Sequence, residues 1–102
     1  MPFLTIELRT ARGEVLQQVF DEGAIARVRP PLDDSSSAYL RFIDPYGDTV
    51  FNPLQAAVLS EELNEAMRRR GKAEDHKHLS QVIEIADRCA AGVHVHLLFI
   101  GD

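Results

Sequence analysis

His94 and His96, one residue apart, are the first side chains in this chain whose type and spacing suit chemistry. On a β-strand, residues two apart share a face, so both imidazoles would project together. Paired imidazoles are a common start to a zinc or nickel site, which needs at least one more ligand. Cys89 is near in sequence, but the apolar pattern places it on the partly buried side of a helix. His76 and His78 are further candidates. Residues two apart on a helix do not face each other, however, so a solvated helix start accounts for them. The plain alternative for His94 and His96 is hydrogen bonding at the wetter end of a strand.

Asp44 and Asp48 flank Pro45-Tyr46-Gly47. Two carboxylates in one loop suit acid/base chemistry or a hard cation. The alternating ligands of a calcium loop are absent, and aspartate in a turn commonly serves turn geometry. Cys89 is the single cysteine. It falls near a helix C-terminus, which disfavours a thiolate, so a packed structural thiol is expected. Ser35-Ser36-Ser37 has no nucleophile-elbow context, and no glycine-rich phosphate loop occurs. Nothing here assembles a catalytic constellation, and the expectation is a protein without catalytic activity.

The elements that must position these residues follow from periodicity. Phe3 to Arg9 alternates, Thr10 to Gly13 supplies a turn, and Glu14 to Phe20 reads as the return strand of a hairpin. Asp21 to Ser37 is irregular, with Ala24 to Val28 as one more short strand or helical turn. Ala38 to Ile43 alternates again and reads as a third strand. Asp44 to Asp48 is a turn, and Thr49 to Phe51 a fourth, short strand.

Asn52-Pro53-Leu54-Gln55 carries a full helix-start signal: an N-cap residue, proline at the first position and glutamine placed for a capping box. Leu59, Leu63, Ala66 and Met67 follow at helical spacing, and Gly71 closes the helix. Arg68, Arg69 and Arg70 complement the dipole there, rather than forming a phosphate patch. A second helix runs from Glu74-Asp75 to Ala91 on Leu79, Val82, Ile83, Ala86 and Ala90. Val93 to Ile100 is the last strand. Its Leu98 and Ile100 lie opposite Leu97 and Phe99, as in a strand central to a sheet. The expected fold is one α+β domain over residues 1–102, in the order β-β-β-β-α-α-β. A two-helix hairpin should pack on one face of a mostly antiparallel sheet.

Composition bounds the function classes. The chain has 102 residues, 45% of them hydrophobic and 26% charged, which suffices for one core without disulfide or metal. Its net charge of -5 disfavours nucleic acid and favours a basic protein partner. No apolar run reaches the length of a membrane span, and the N-terminus Met1-Pro2-Phe3-Leu4-Thr5 lacks the regions of a signal peptide, so a cytoplasmic protein is expected.

Phe42-Ile43-Asp44, Tyr46-Gly47-Asp48-Thr49-Val50-Phe51-Asn52 and the end Phe99-Ile100-Gly101-Asp102 form a recurring kind of pattern. It resembles a group of short bacterial proteins that share a Tyr-Gly-Asp-Thr-Val-Phe-Asn block and a Phe-Ile-Gly-Asp C-terminus. The resemblance covers roughly the last two-thirds of the chain. It implies no activity and no functional residue.

The leading expectation is a small protein-binding module, such as an immunity-type partner that neutralises a basic protein by complementary charge. Its candidate surface is Asp33, Asp34, Asp44, Tyr46 and Asp48, acids around one aromatic anchor. The plain alternative is that these are solvated loops. Two other expectations stand beside it: a metal-binding protein using His94 and His96, and a self-associating domain, such as a homodimer, joined through an open sheet edge.

Overall fold

The computed structural model describes residues 3–101. Met1 and Pro2, part of the N-terminal reading, and Asp102, the last residue of the Phe-Ile-Gly-Asp end, lie outside the described residues. The fold is α+β. Strands β1 (Leu4–Thr10), β2 (Val15–Asp21), β3 (Asp48–Phe51) and β4 (Val95–Ile100) form one antiparallel sheet in the order β2-β1-β4-β3. Helices α1 (Ala24–Val28), α2 (Pro53–Arg70) and α3 (His76–Ala90) pack over one face.

The hairpin at the N-terminus forms as its sequence indicates. Gly13 takes φ 89, and the Glu14 amide donates to Thr10 Oγ1 at 3.1 Å, closing the turn. One bulge shifts the register between Leu8 and Arg9, leaving Leu16 as the extra residue of β2. The α2 start is also as expected. The Gln55 amide donates to Asn52 Oδ1 at 2.8 Å, and the Asn52 amide donates to Gln55 Oε1 at 3.0 Å. The Gly71 amide donates to the Met67 carbonyl at the other end.

The register defines two faces. On the helix-covered face, Thr49, Phe99, Ile6 and Val19 form one row across the sheet, and Phe51, Leu97, Leu8 and Gln17 the next. Ile6, Leu8, Leu97 and Phe99 are buried there with Leu59, Leu63, Leu79, Val82 and Ile85 of the helices. On the opposite face, Asp48, Ile100, Thr5 and Phe20 form one row, and Val50, Leu98, Glu7 and Gln18 another. Among the described residues, no helix lies over that face. Leu98 and Ile100 are therefore half-buried, although β4 is central as expected.

One expected element is corrected. Ala38 to Ile43 is not a strand. It carries a 3-10 turn over Leu40–Phe42, so the sheet has three strands before the long helices, not four. The physical reason is a carboxylate from α2. Glu62 accepts from the backbone amides of Ala38, Tyr39 and Leu40, the last two at 3.0 Å. Ser37 Oγ accepts the Arg41 amide at 3.1 Å. Amides satisfied in this way have no need of a neighbouring strand. Ala24 to Val28 resolves as a helical turn, the second of its two expected forms.

Candidate functional site

Tyr46 stands at the tip of the turn between the 3-10 segment and β3, with 72% of its surface exposed. The turn is pinned from two sides. Within it, Asp44 Oδ1 accepts the Tyr46 amide at 2.9 Å, and the Asp44 amide donates to Thr49 Oγ1 at 3.2 Å. From outside, the Gly101 amide donates to the Gly47 carbonyl at 2.8 Å. The approach at Gly101 is close enough that a Cβ there would lie 2.6 Å from the Pro45 carbonyl. Glycine is required by space, not by φ.

This arrangement brings Asp44, Tyr46 and Asp48 together. Asp48 begins β3 and lies in the outer row of the uncovered sheet face, beside Ile100. Exposed Phe42 and Val50 flank the turn, and the Arg41 guanidinium stands 4.6 Å from the centre of the Phe42 ring. Tyr46, Phe42 and Val50 are thus exposed around a hydrogen-bonded turn that carries two carboxylates.

Asp33 and Asp34 belong to a separate turn. Asp34 Oδ1 accepts from the Ser36 amide at 3.0 Å and from Ser36 Oγ at 2.6 Å. Those bonds hold its carboxyl below the usual value, with Arg70 and Arg41 adding to the effect. With cations near it, Asp34 presents less negative field than the sequence suggests. It also lines a cleft with Ser36, Leu40, Glu61, Glu65 and Arg69.

His94 lies one residue before β4, with a left-handed backbone at φ 57, and its carbonyl accepts the Ala11 amide at 2.8 Å. His96 is inside β4, opposite Arg9 on the uncovered face. Strand alternation thus does not extend to His94, and the shared-face argument for the pair does not apply. Among the described residues, no group of three histidine, cysteine, aspartate or glutamate side chains is placed to hold a metal ion. Cys89 is fully buried on α3, and burial pushes its thiol pKa up, as expected for a packed thiol.

Sequence reasoning missed the polar network at the junction of β2, α1 and α3. Asp21, 1% exposed, accepts from the Gly23 and Ile25 amides at 3.2 and 3.3 Å. It also contacts His78 Nε2 at 2.6 Å, so His78 is not a solvated helix start. Beside it, Arg27 donates to both oxygens of Asp75 at 2.9 and 2.7 Å. The Arg27 bonds hold the Asp75 carboxyl below its ordinary value despite the opposing effect of burial.

Buried charges need such partners, and the network ties β2 and α1 to α3 and the turn before it. A cleft lined by Phe20, Glu22, Ala24, Arg27 and His78 opens over it. No local signal announces these pairs, because Asp21 and His78 are 57 positions apart and Arg27 and Asp75 are 48 apart.

A third network sits on the uncovered sheet face. Glu7, only 6% exposed, accepts from Arg9 Nε at 2.7 Å and from Gln18 Nε2 at 2.6 Å. It keeps a charge in the middle of that face, between Thr5 and Arg9 along β1 and beside Leu98 of β4.

Comparison with protein-family models, with curated proteins and with solved structures gives no match to this chain.

Proposed function

We propose that the protein is a noncatalytic binding module that receives a basic protein partner on the Asp44–Asp48 turn and the adjoining β3 edge. The observation that supports this reading most is Tyr46, an aromatic side chain 72% exposed on a turn held by hydrogen bonds from both sides. A large aromatic on solvent needs a reason. With its backbone fixed in the turn, it loses less conformational freedom on association and serves as an anchor.

Phe42 and Val50 extend the apolar contact, while Asp44 and Asp48 at its margin suit a cationic partner surface. The net charge of -5 adds long-range attraction of the same sign. Asp33 and Asp34 stand apart from this surface, and Asp34 is partly offset by nearby arginines, so they carry less of the proposed interface.

The test compares three baits under native conditions: the parent chain, Tyr46→Ala and Asp48→Lys. Both substituted side chains are exposed, so the fold should survive. One stoichiometric basic protein, retained by the parent and lost from both variants, is the expected result. A partner held equally by all three baits would reject this surface.

A further inference from the structure

The two edges of the sheet are built differently. The β3 edge is short, four residues, bounded by Pro45 and Pro53 and opened by the charged Asp48. Proline, charge and shortness are the usual protections of an exposed edge. The β2 edge has few of them. It is seven residues long, and from Val15 to Phe20 it contains no charge, no proline and no glycine. Only the bulge at Leu16 interrupts it, near one end.

Exposed apolar side chains gather on the same strand: Val15 at 45%, Leu16 at 40% and Phe20 at 67%. An outer strand also carries a row of backbone amides and carbonyls facing away from the sheet.

The order of residues along β2 supplies the partner. A two-fold axis perpendicular to the sheet keeps every residue on its own face, so opposed residues must be separated by an even number along the strand. Centred on Gln17, the axis would set Leu16 against the partner's Gln18, and Glu14 against the partner's Phe20. Centred on Val19, it would set Leu16 against the partner's Glu22. Centred on Gln18, it sets Leu16 against the partner's Phe20, Gln17 against the partner's Val19, and Gln18 against itself. That register joins exposed Leu16 and Phe20 in two equivalent pairs around a central pair of amides, and sets Val15 against the partner's Asp21. The segment is self-complementary in the antiparallel sense that a symmetric dimer requires.

We propose that β2 pairs antiparallel with β2 of a second copy of this chain, about a two-fold axis at Gln18, joining two sheets into one. Between Leu16 and Phe20 the contact is uncharged, which suits the approach of two chains that each carry a net charge of -5. At its ends, Glu14 stands opposite the partner's Glu22. Salt screens such like charges, so the dimer tightens as ionic strength rises. The site lies on the opposite edge of the sheet from the Asp44–Asp48 turn, and neither proposal depends on the other.

Sedimentation equilibrium of the full chain, from low micromolar to near-millimolar concentration, tests this. The mass should climb from 11.4 kDa toward twice that value. Phe20→Lys places two charges in the contact and should weaken association by about tenfold or more. The double variant Leu16→Glu with Phe20→Lys sets a carboxylate opposite the partner's ammonium in both pairs, and should recover association. A parent chain that stays monomeric throughout would overturn the proposal, as would a dimer indifferent to Phe20→Lys. Failure of the double variant to recover would overturn the Gln18-centred register.

Discussion

Burial pushes the pKa of both Asp75 and Cys89 up, and only Asp75 has hydrogen bonds that outweigh it. Hydrogen bonds from Arg27 hold the Asp75 carboxyl below its ordinary value of 3.8. A carboxylate with a depressed folded-state pKa contributes stability above the unfolded value, and that contribution is lost as pH falls through the folded one. Asp75→Asn should therefore lower the urea midpoint at neutral pH, and the gap to the parent should close below pH 3.8. A gap that stays constant from neutral to acid pH would show that the charge of Asp75 is not what stabilises the fold. Cys89 has no charged partner, and burial alone raises its pKa. A thiol reagent should leave the folded protein unmodified and label one cysteine in urea. Prompt labelling without denaturant would contradict its full burial.

At the scale of the element, the segment from Ala38 to Ile43 depends on one residue of another element. Its first three amides are satisfied by the Glu62 carboxylate rather than by a neighbouring strand. A charged acceptor bound by several amides is worth more than a neutral one. Glu62→Gln keeps size and shape but loses the charge and one acceptor oxygen. The cost should be about 1–3 kcal/mol. Hydrogen exchange at Ala38, Tyr39 and Leu40 should accelerate while the α2 interior stays protected. Unchanged protection at those three amides would mean that something other than Glu62 organises the turn. The α2 start is the contrasting case. Asn52 and Gln55 satisfy one another within four residues, so nothing outside the segment is required.

Across the whole molecule, the helices cover one face of the sheet and leave the other to solvent. The charged Glu7 and Arg9 of β1 occupy the middle of that open face beside half-buried Leu98 and Ile100 of β4, and the more exposed Phe20 and Val50 lie on the two outer strands. The edges are therefore where this protein offers surface. The proposed partner surface on the β3 side is acidic and aromatic, and the proposed self-pairing strand on the β2 side is uncharged from Val15 to Phe20. The two respond oppositely to salt: binding of a basic partner weakens as charges are screened, whereas pairing of two acidic chains strengthens.

Local signals were enough for the N-terminal hairpin, both long helices and the central place of the last strand. Alternation, turn residues, caps and a 3.6-residue apolar stripe all act between near neighbours, so the sequence alone determined these elements and the α+β class. The same local reading placed Asp44, Tyr46 and Asp48 on one turn. It did not foresee that the Gly101 backbone would brace that turn.

Tertiary structure decided whatever depended on distant partners. Alternation at Ala38 to Ile43 looked like a strand until Glu62 supplied the hydrogen bonds that a sheet would have given. His94 sat at a strand-like position, but its left-handed backbone ended the alternation before it. Asp21 found His78, and Arg27 found Asp75, across nearly half the chain or more. A buried charge must be paired, but sequence does not say with what. The pairing is settled only when the packed elements bring the two side chains into one low-dielectric space.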